Sequence, residues 1–237
     1  MITALANPQR FLAFSRWAAP VSGAAAALLL VGLWQAFSVP PDYQQGDTVR
    51  ILFAHVAAAE MSLFAYVCLA GASFFGLVFR HALADAAARA AAPLGAGFTA
   101  LALITGSFWG KPMWGAWWVW DPRVTSELIL LLFYLGYMAL QAAIEDEAKA
   151  DRACAILALV GAINVPIVHY SVVWWNSLHQ GESIFTRNGP LLAGVYLWPW
   201  GLMTFGYLFL FGSLWLVRTR AEIWRRRARA LALRAAG

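Results

Sequence analysis

Trp114-Gly115-Ala116-Trp117-Trp118-Val119-Trp120-Asp121, with Pro122 behind it, sets four tryptophans in eight residues, and Phe108 and Trp109 stand just ahead. A regular helix or strand would scatter these rings over opposite faces. Indole is a flat apolar plate with a single donor, and it favours the boundary between hydrocarbon and water. The run therefore admits two readings: an aromatic belt that anchors the neighbouring helices, or a shelf for something large, flat and mostly apolar. Both place it as an interfacial loop between membrane spans. Asp121-Pro122 reads as a helix start, with Asp as N-cap and Pro at the first helical position.

The sequence on either side fits that placement. The chain has 237 residues, 62% hydrophobic and 12% charged, against about 25% charged in a soluble domain. Apolar runs reach or approach the ~20 residues that cross a bilayer as helix. They lie at about 17–37, 51–79, 94–108, 124–143, 153–173 and 191–217. The expected fold is an all-α polytopic membrane protein, one domain over 1–237 with six transmembrane helices. The first run is longer than the apolar core of a cleavable signal peptide, roughly 7–15 residues, so it is read as a retained span, ended by Pro40-Pro41. Residues 80–93 read as a charged, alanine-rich connection. The third span is short, so the aromatic stretch after it, about 109–123, must partly lie in the interface. Pro166 predicts a kink in the fifth span. A second loop, 174–190, carries Trp174-Trp175-Asn176-Ser177-Leu178-His179-Gln180-Gly181, and a basic tail follows at 218–237.

Lys and Arg set the orientation. Thirteen of the seventeen fall on the termini and the two even-numbered loops, and only Arg50, Lys111, Arg123 and Arg187 fall on the other side. Both termini are therefore expected in the cytoplasm, with the tryptophan run and the His179 loop sharing the outer face. The net charge of +5 then belongs to membrane lipids at an anionic leaflet and not to nucleic acid.

Cys68 and Cys154 lie far apart inside spans, with no CxxC, and read as small core residues. Of the four histidines, His55 follows Arg50 at the start of the second span, His179 lies in the outer loop, His169 near the outer end of the fifth span and His81 at the opposite boundary. Imidazoles on opposite sides of a flat macrocycle give six-coordinate iron. Arg50 and Arg123 are best placed to meet its two carboxylates. Each element also has a plain reading: a hydrogen-bonded histidine, an interface anchor, a helix cap. Glu60 and Glu127 are costly in hydrocarbon and call for partners, Arg123 being one for Glu127. Asn164 reads as an interhelical hydrogen-bond residue. There is no phosphate-binding loop, HExxH or zinc spacing, so a bound cofactor is the economical explanation.

At this point the chain resembles a known family. The stretch from Trp114 to Asp121 fits the WGxxWxWD signature of the tryptophan-rich haem-handling membrane proteins. With six spans, His55 before the signature and the Trp174–Gly181 stretch after it, the chain is similar to the cytochrome c maturation protein C (haem exporter protein C) family over nearly its whole length. The resemblance implies a non-enzymatic haem-transfer component of the bacterial inner membrane that holds non-covalent haem b at the periplasmic face. It implies delivery to a membrane-anchored haem chaperone, maturation protein E. It also implies an ABC transporter built from maturation proteins A and B, with a small one-span component, maturation protein D. It implies His55 and His179 as axial ligands, and Trp114, Trp117, Trp118, Trp120 and Asp121 as the signature. The family pattern does not settle His169. Two other classes stay open: a secondary transporter for haem or another solute, for which a polar midplane pathway and an internal repeat are wanting, and a structural component whose tryptophans only grip partners.

Overall fold

A computed structural model describes residues 7–181, 184 and 187–236. Among these residues the chain is helical, with one isolated bridge between Asp42 and Gly46 and no strand. In chain order the helices are α1 (Pro8–Phe14), α2 (Ala18–Ser38), α3 (Val49–Phe79), α4 (Ala82–Trp114), α5 (Pro122–Ala143), α6 (Glu147–Gly161), α7 (Asn164–Trp174) and α8 (Gly194–Ala236), with a 3-10 turn at Ser15–Trp17 between the first two. Six stretches are long and apolar enough to cross a membrane: Pro8–Ser38, Val49–Phe79, Ala82–Trp114, Pro122–Ala143, Glu147–Trp174 and Gly194–Ala235.

The helices run well past the apolar cores that the sequence marks. Residues 80–93, expected as a connection, are helical from Ala82 onward. The reversal is confined to Arg80, in the left-handed region at φ 50°, and to His81, whose Nδ1 accepts from the Ala84 N–H. Alanine is the best helix former, so an alanine-rich stretch lengthens a helix and does not interrupt it. At the other end α4 continues to Trp114, and the non-helical aromatic loop shrinks from 109–123 to 115–121. Gly115 (φ 76°) closes α4, its N–H bonded to the Lys111 carbonyl. That left-handed position favours glycine. Asp121 caps α5 as the sequence predicts, its carboxylate accepting from the Arg123 N–H at 2.9 Å, with Pro122 at the first position.

Pro166 acts upstream of itself. It lacks an N–H and its ring crowds the carbonyl four residues back, so the fifth stretch breaks at Ala162-Ile163 into α6 and α7. Asn164 spans the break, its Nδ2 donating to the Ser126 carbonyl of α5.

The packing pairs α2 with α8 and α3 with α4, while α5 lies against α4, α6 and α7. The α2–α8 crossing is close because glycines face it: a Cβ on Gly206 would lie 2.7 Å from Leu29. Small residues let transmembrane helices approach this way. Tyr66, Leu69, Leu130, Tyr134, Tyr137 and Cys154 form the largest buried cluster, and Cys68 packs on a second with Met61 and Phe211. The loops 39–48 and 115–121 and the described residues between α7 and α8 gather at one end of the bundle. The other end is basic. There the Arg226 guanidinium pairs with Asp151 and Glu222, and Arg225 and Arg229 pair with Glu147. Of the 218–237 tail, residues 218–236 thus continue α8 and are braced against α6, and residue 237 lies outside the described residues.

Candidate functional site

The loop end opens into a cavity of about 540 Å3 between α3, α4, α5, α7 and the segment 178–181 with Ile184, a size ordinary for small-molecule and cofactor sites. Its wall is mostly aliphatic and aromatic, and the polar exceptions are few: His55, Glu60, Arg123, Glu127, His169 and His179 among them.

His55 sits two turns into α3. Its Nδ1 lies 2.9 Å from the Ala102 carbonyl and 3.2 Å from the Thr105 hydroxyl, both on α4. A carbonyl only accepts, so Nδ1 carries the proton and Nε2 keeps its lone pair. The fit is tight: a Cβ on Gly106 would stand 2.9 Å from His55 Cε1, so only glycine leaves the ring its place. Trp109 meets the imidazole edge-on at 5.5 Å, and its own N–H is held by Gln45 at 3.0 Å.

His179 reaches the same cavity from the opposite side of the bundle, and Asp121 is what places it. Asp121, 5% exposed, accepts from the Leu178 N–H at 2.7 Å, the Ser177 hydroxyl at 3.1 Å and the Arg123 N–H at 2.9 Å. One carboxylate therefore caps α5 and pins the 177–179 segment. His179 Nδ1 lies 3.5 Å from the same carboxylate, an electrostatic contact too long for a formed hydrogen bond. Burial pushes the Asp121 carboxyl up. The Leu178 and Arg123 N–H groups, the Ser177 hydroxyl and the His179 charge outweigh it and hold the group below its ordinary range. Burial pushes His179 down, the Arg123 charge adds to that, and the opposing pull of Asp121 does not cancel it. His179 is therefore a neutral imidazole near neutral pH, the form that binds metal. Trp114 packs edge-on against it at 4.9 Å.

The two imidazole centres are 6.4 Å apart, with the rings inclined by 36°. A coordinated imidazole nitrogen lies about 2.0 Å from its metal and roughly 1.1 Å from the centre of its own ring, so two imidazoles on opposite faces of one ion have centres about 6.2 Å apart. The pair is spaced as that arrangement needs. The Trp118 Nε1–H, on the same cavity, is buried with no acceptor, a donor that a bound acidic group would satisfy. The residues present thus fit an iron macrocycle with acidic substituents.

The remaining residues singled out in the sequence divide. Trp114, Trp117 and Trp118 line the cavity. Trp120 stacks edge-on against Trp118 at 5.5 Å and is 75% exposed, away from the lining. Arg123 is on the wall, its Nη1 donating to the Val168 and His169 carbonyls at 3.1 Å. Arg50 pairs with Asp47 at 2.9 Å, and the cavity is lined without it. Glu127 accepts from the Ser62 hydroxyl, and Glu60 from the Trp200 N–H and the Thr204 hydroxyl. The role of Gly106 was not read from the sequence. The signal was present as Gly106-x-x-x-Gly110, a spacing that clears one helix face.

Comparison with known proteins gives a consistent result. The family model described as Heme exporter protein C matches residues 1–234. Among curated proteins, Heme exporter protein C of Bradyrhizobium diazoefficiens is 52% identical over 228 residues, 96% of this chain and 87% of the relative. That of Paracoccus denitrificans is 47% identical, covering 97% and 96%. That of Escherichia coli K12 is 46% identical, covering 91% and 88%.

Proposed function

The chain belongs to the Heme exporter protein C family, and from that premise we propose that it binds haem b non-covalently in the cavity at the loop end. His55 and His179 are its axial ligands, and the bound haem is delivered to a membrane-anchored chaperone during c-type cytochrome maturation. The observation that carries this reading is the pair of imidazoles, from α3 and from the segment after α7, brought to 6.4 Å across one cavity.

Bound there, the haem supplies an electrophilic vinyl edge and a redox-active iron, and the chain supplies everything else. Ala102 and Asp121 orient the two rings from behind, as groups behind metal-ligating histidines commonly do. Arg123 and the Trp118 N–H face the acidic substituents, and Arg50, at the start of α3, is assigned the same partner. Trp117 and Trp120, both more than half exposed, form the apolar surface on which the chaperone docks. The excess of Lys and Arg at the other end of the bundle supports a loop end in the periplasm and termini in the cytoplasm of a bacterial inner membrane. The proposed neighbours are the ABC transporter formed by maturation proteins A and B and the one-span maturation protein D.

The test is an absorption spectrum of the purified chain against His55→Ala and His179→Ala. Wild type should show a six-coordinate, low-spin haem spectrum, and each variant should lose it. A spectrum unaltered in both variants overturns the axial assignment.

A further inference from the structure

The cavity is electrically polarised along its depth, and the inner half has no role in the reading above. Its outer end carries Arg123, the only arginine or lysine among the described residues lining it. Further in stand two carboxylates. Glu60 lies five residues beyond His55 in α3, and Glu127 four beyond Arg123 in α5, displaced about 7.5 Å and about 6 Å along their helices. Both line the same cavity as the imidazoles, amid Val56, Ala59, Leu63 and Val124.

Neither carboxylate is an accident of packing. Glu60 is held by two donors from α8, the Trp200 indole at 3.2 Å and the Thr204 hydroxyl at 2.9 Å. Glu127, 7% exposed, accepts from Ser62 at 2.6 Å. Tyr134 in turn donates to the Ser62 carbonyl at 2.8 Å. Three helices therefore aim two acidic groups at the inner end of an apolar cavity, and Arg123, the one Lys or Arg among the described lining residues, stands a turn nearer the mouth than Glu127. A carboxylate moved there loses its water and meets acidic oxygens already engaged by Ser62, Trp200 and Thr204, with no donor left over to receive it. Specificity is often built from such a repulsive element as much as from an attractive one.

We propose that Glu60 and Glu127 are specificity-determining residues: they bar carboxylate-bearing rims from the inner end of the cavity and so both orient the bound macrocycle and restrict the site to porphyrins with one uncharged side. This rests on the haem-binding reading above. Haem b meets the requirement because its two propionates share one side of the ring. Iron coproporphyrin I, the isomer titrated below, alternates methyl and propionate around its rim, so every edge bears a carboxylate and no orientation leaves the inner end uncharged.

The experiment is an absorption titration of the purified full chain in detergent with haemin and with iron coproporphyrin, comparing wild type, Glu60→Gln, Glu127→Gln and the double variant. Gln keeps the size and one acceptor oxygen while removing the acid. Wild type should bind haemin and disfavour iron coproporphyrin by about tenfold or more. The double variant should narrow that ratio at least severalfold with the haemin spectrum retained, and each single variant should recover part of the change. If the double variant fails to fold, the single variants carry the test. Equal wild-type affinity for the two porphyrins, or a ratio unmoved by the Gln substitutions, overturns the proposal. Failure of wild type to give a bis-imidazole spectrum with haemin is a different result, and it sinks the underlying haem-binding reading instead.

Discussion

Replacing Asp121 with Asn tests whether one buried carboxylate holds the second ligand in place. The carboxylate serves three donors at once: Arg123 N–H at 2.9 Å and Ser177 Oγ–H at 3.1 Å on one oxygen, and Leu178 N–H at 2.7 Å on the other. Asn keeps one acceptor and turns the other into an NH2 donor. If the amide faces Leu178, donor meets donor and the His179 segment is released. If it flips, the α5 cap and Ser177 lose their acceptor instead. Either way at least one charge-assisted hydrogen bond of about 1.5–3 kcal/mol is lost. A site that needs the 177–179 segment ordered should then bind haem about 10- to 100-fold more weakly. Asp121→Ala should be worse, because the cap on α5, about 1 kcal/mol by itself, goes as well. The assay is haemin titration followed by the Soret band, with circular dichroism to show that the helices persist. Haemin affinity for Asp121→Asn within about twofold of wild type, with an unchanged low-spin spectrum, would refute the claim that this carboxylate positions His179.

The other expectations follow from the same geometry. Gly106→Leu should displace the His55 ring, since even a Cβ there comes within 2.9 Å of Cε1; the Soret band should lose its six-coordinate character while expression holds, and unchanged ligation would contradict the packing. Trp118→Phe removes a buried N–H that has no acceptor in the free protein. The unloaded protein should thus melt at the same temperature or slightly higher, and haemin affinity should fall by about fivefold to tenfold; a lower melting point for the unloaded protein would show the indole to be structural. For pH, the His179 pKa is lowered on folding, so the unfolded chain binds the extra proton first. Its stability contribution is full above the ordinary histidine value of about 6.5 and is eroded as pH falls from there through the folded value. Haem binding through His179 should therefore survive slightly acidic buffer and fail below it, and a loss that begins above pH 7 would contradict the sign. Asp121, lowered in turn, should keep its contacts until well below the ordinary carboxylate range.

The sequence alone carried what depends on composition and on local chain chemistry. Six apolar runs demand six helices, because backbone polar groups in hydrocarbon must be satisfied within the segment. Asp121-Pro122 starts a helix in any context that lets it, and four tryptophans in eight residues belong at an interface. Boundaries escaped where propensity outran hydropathy: residues 82–93 are helical because alanine favours helix whether or not it lies in a membrane, and the tail is helical because its arginines found Glu147, Asp151 and Glu222. The tertiary structure decided what depends on pairs distant in the chain. Only packing could bring His55 and His179 within 6.4 Å, show that the Asp121 cap also fastens the His179 loop, or set Glu60 and Glu127 on one cavity wall. A periodic pattern states which face of a helix is apolar; it does not state which other helix that face will meet, and a site made from α3, α4, α5, α7 and a loop exists only once those meetings are fixed.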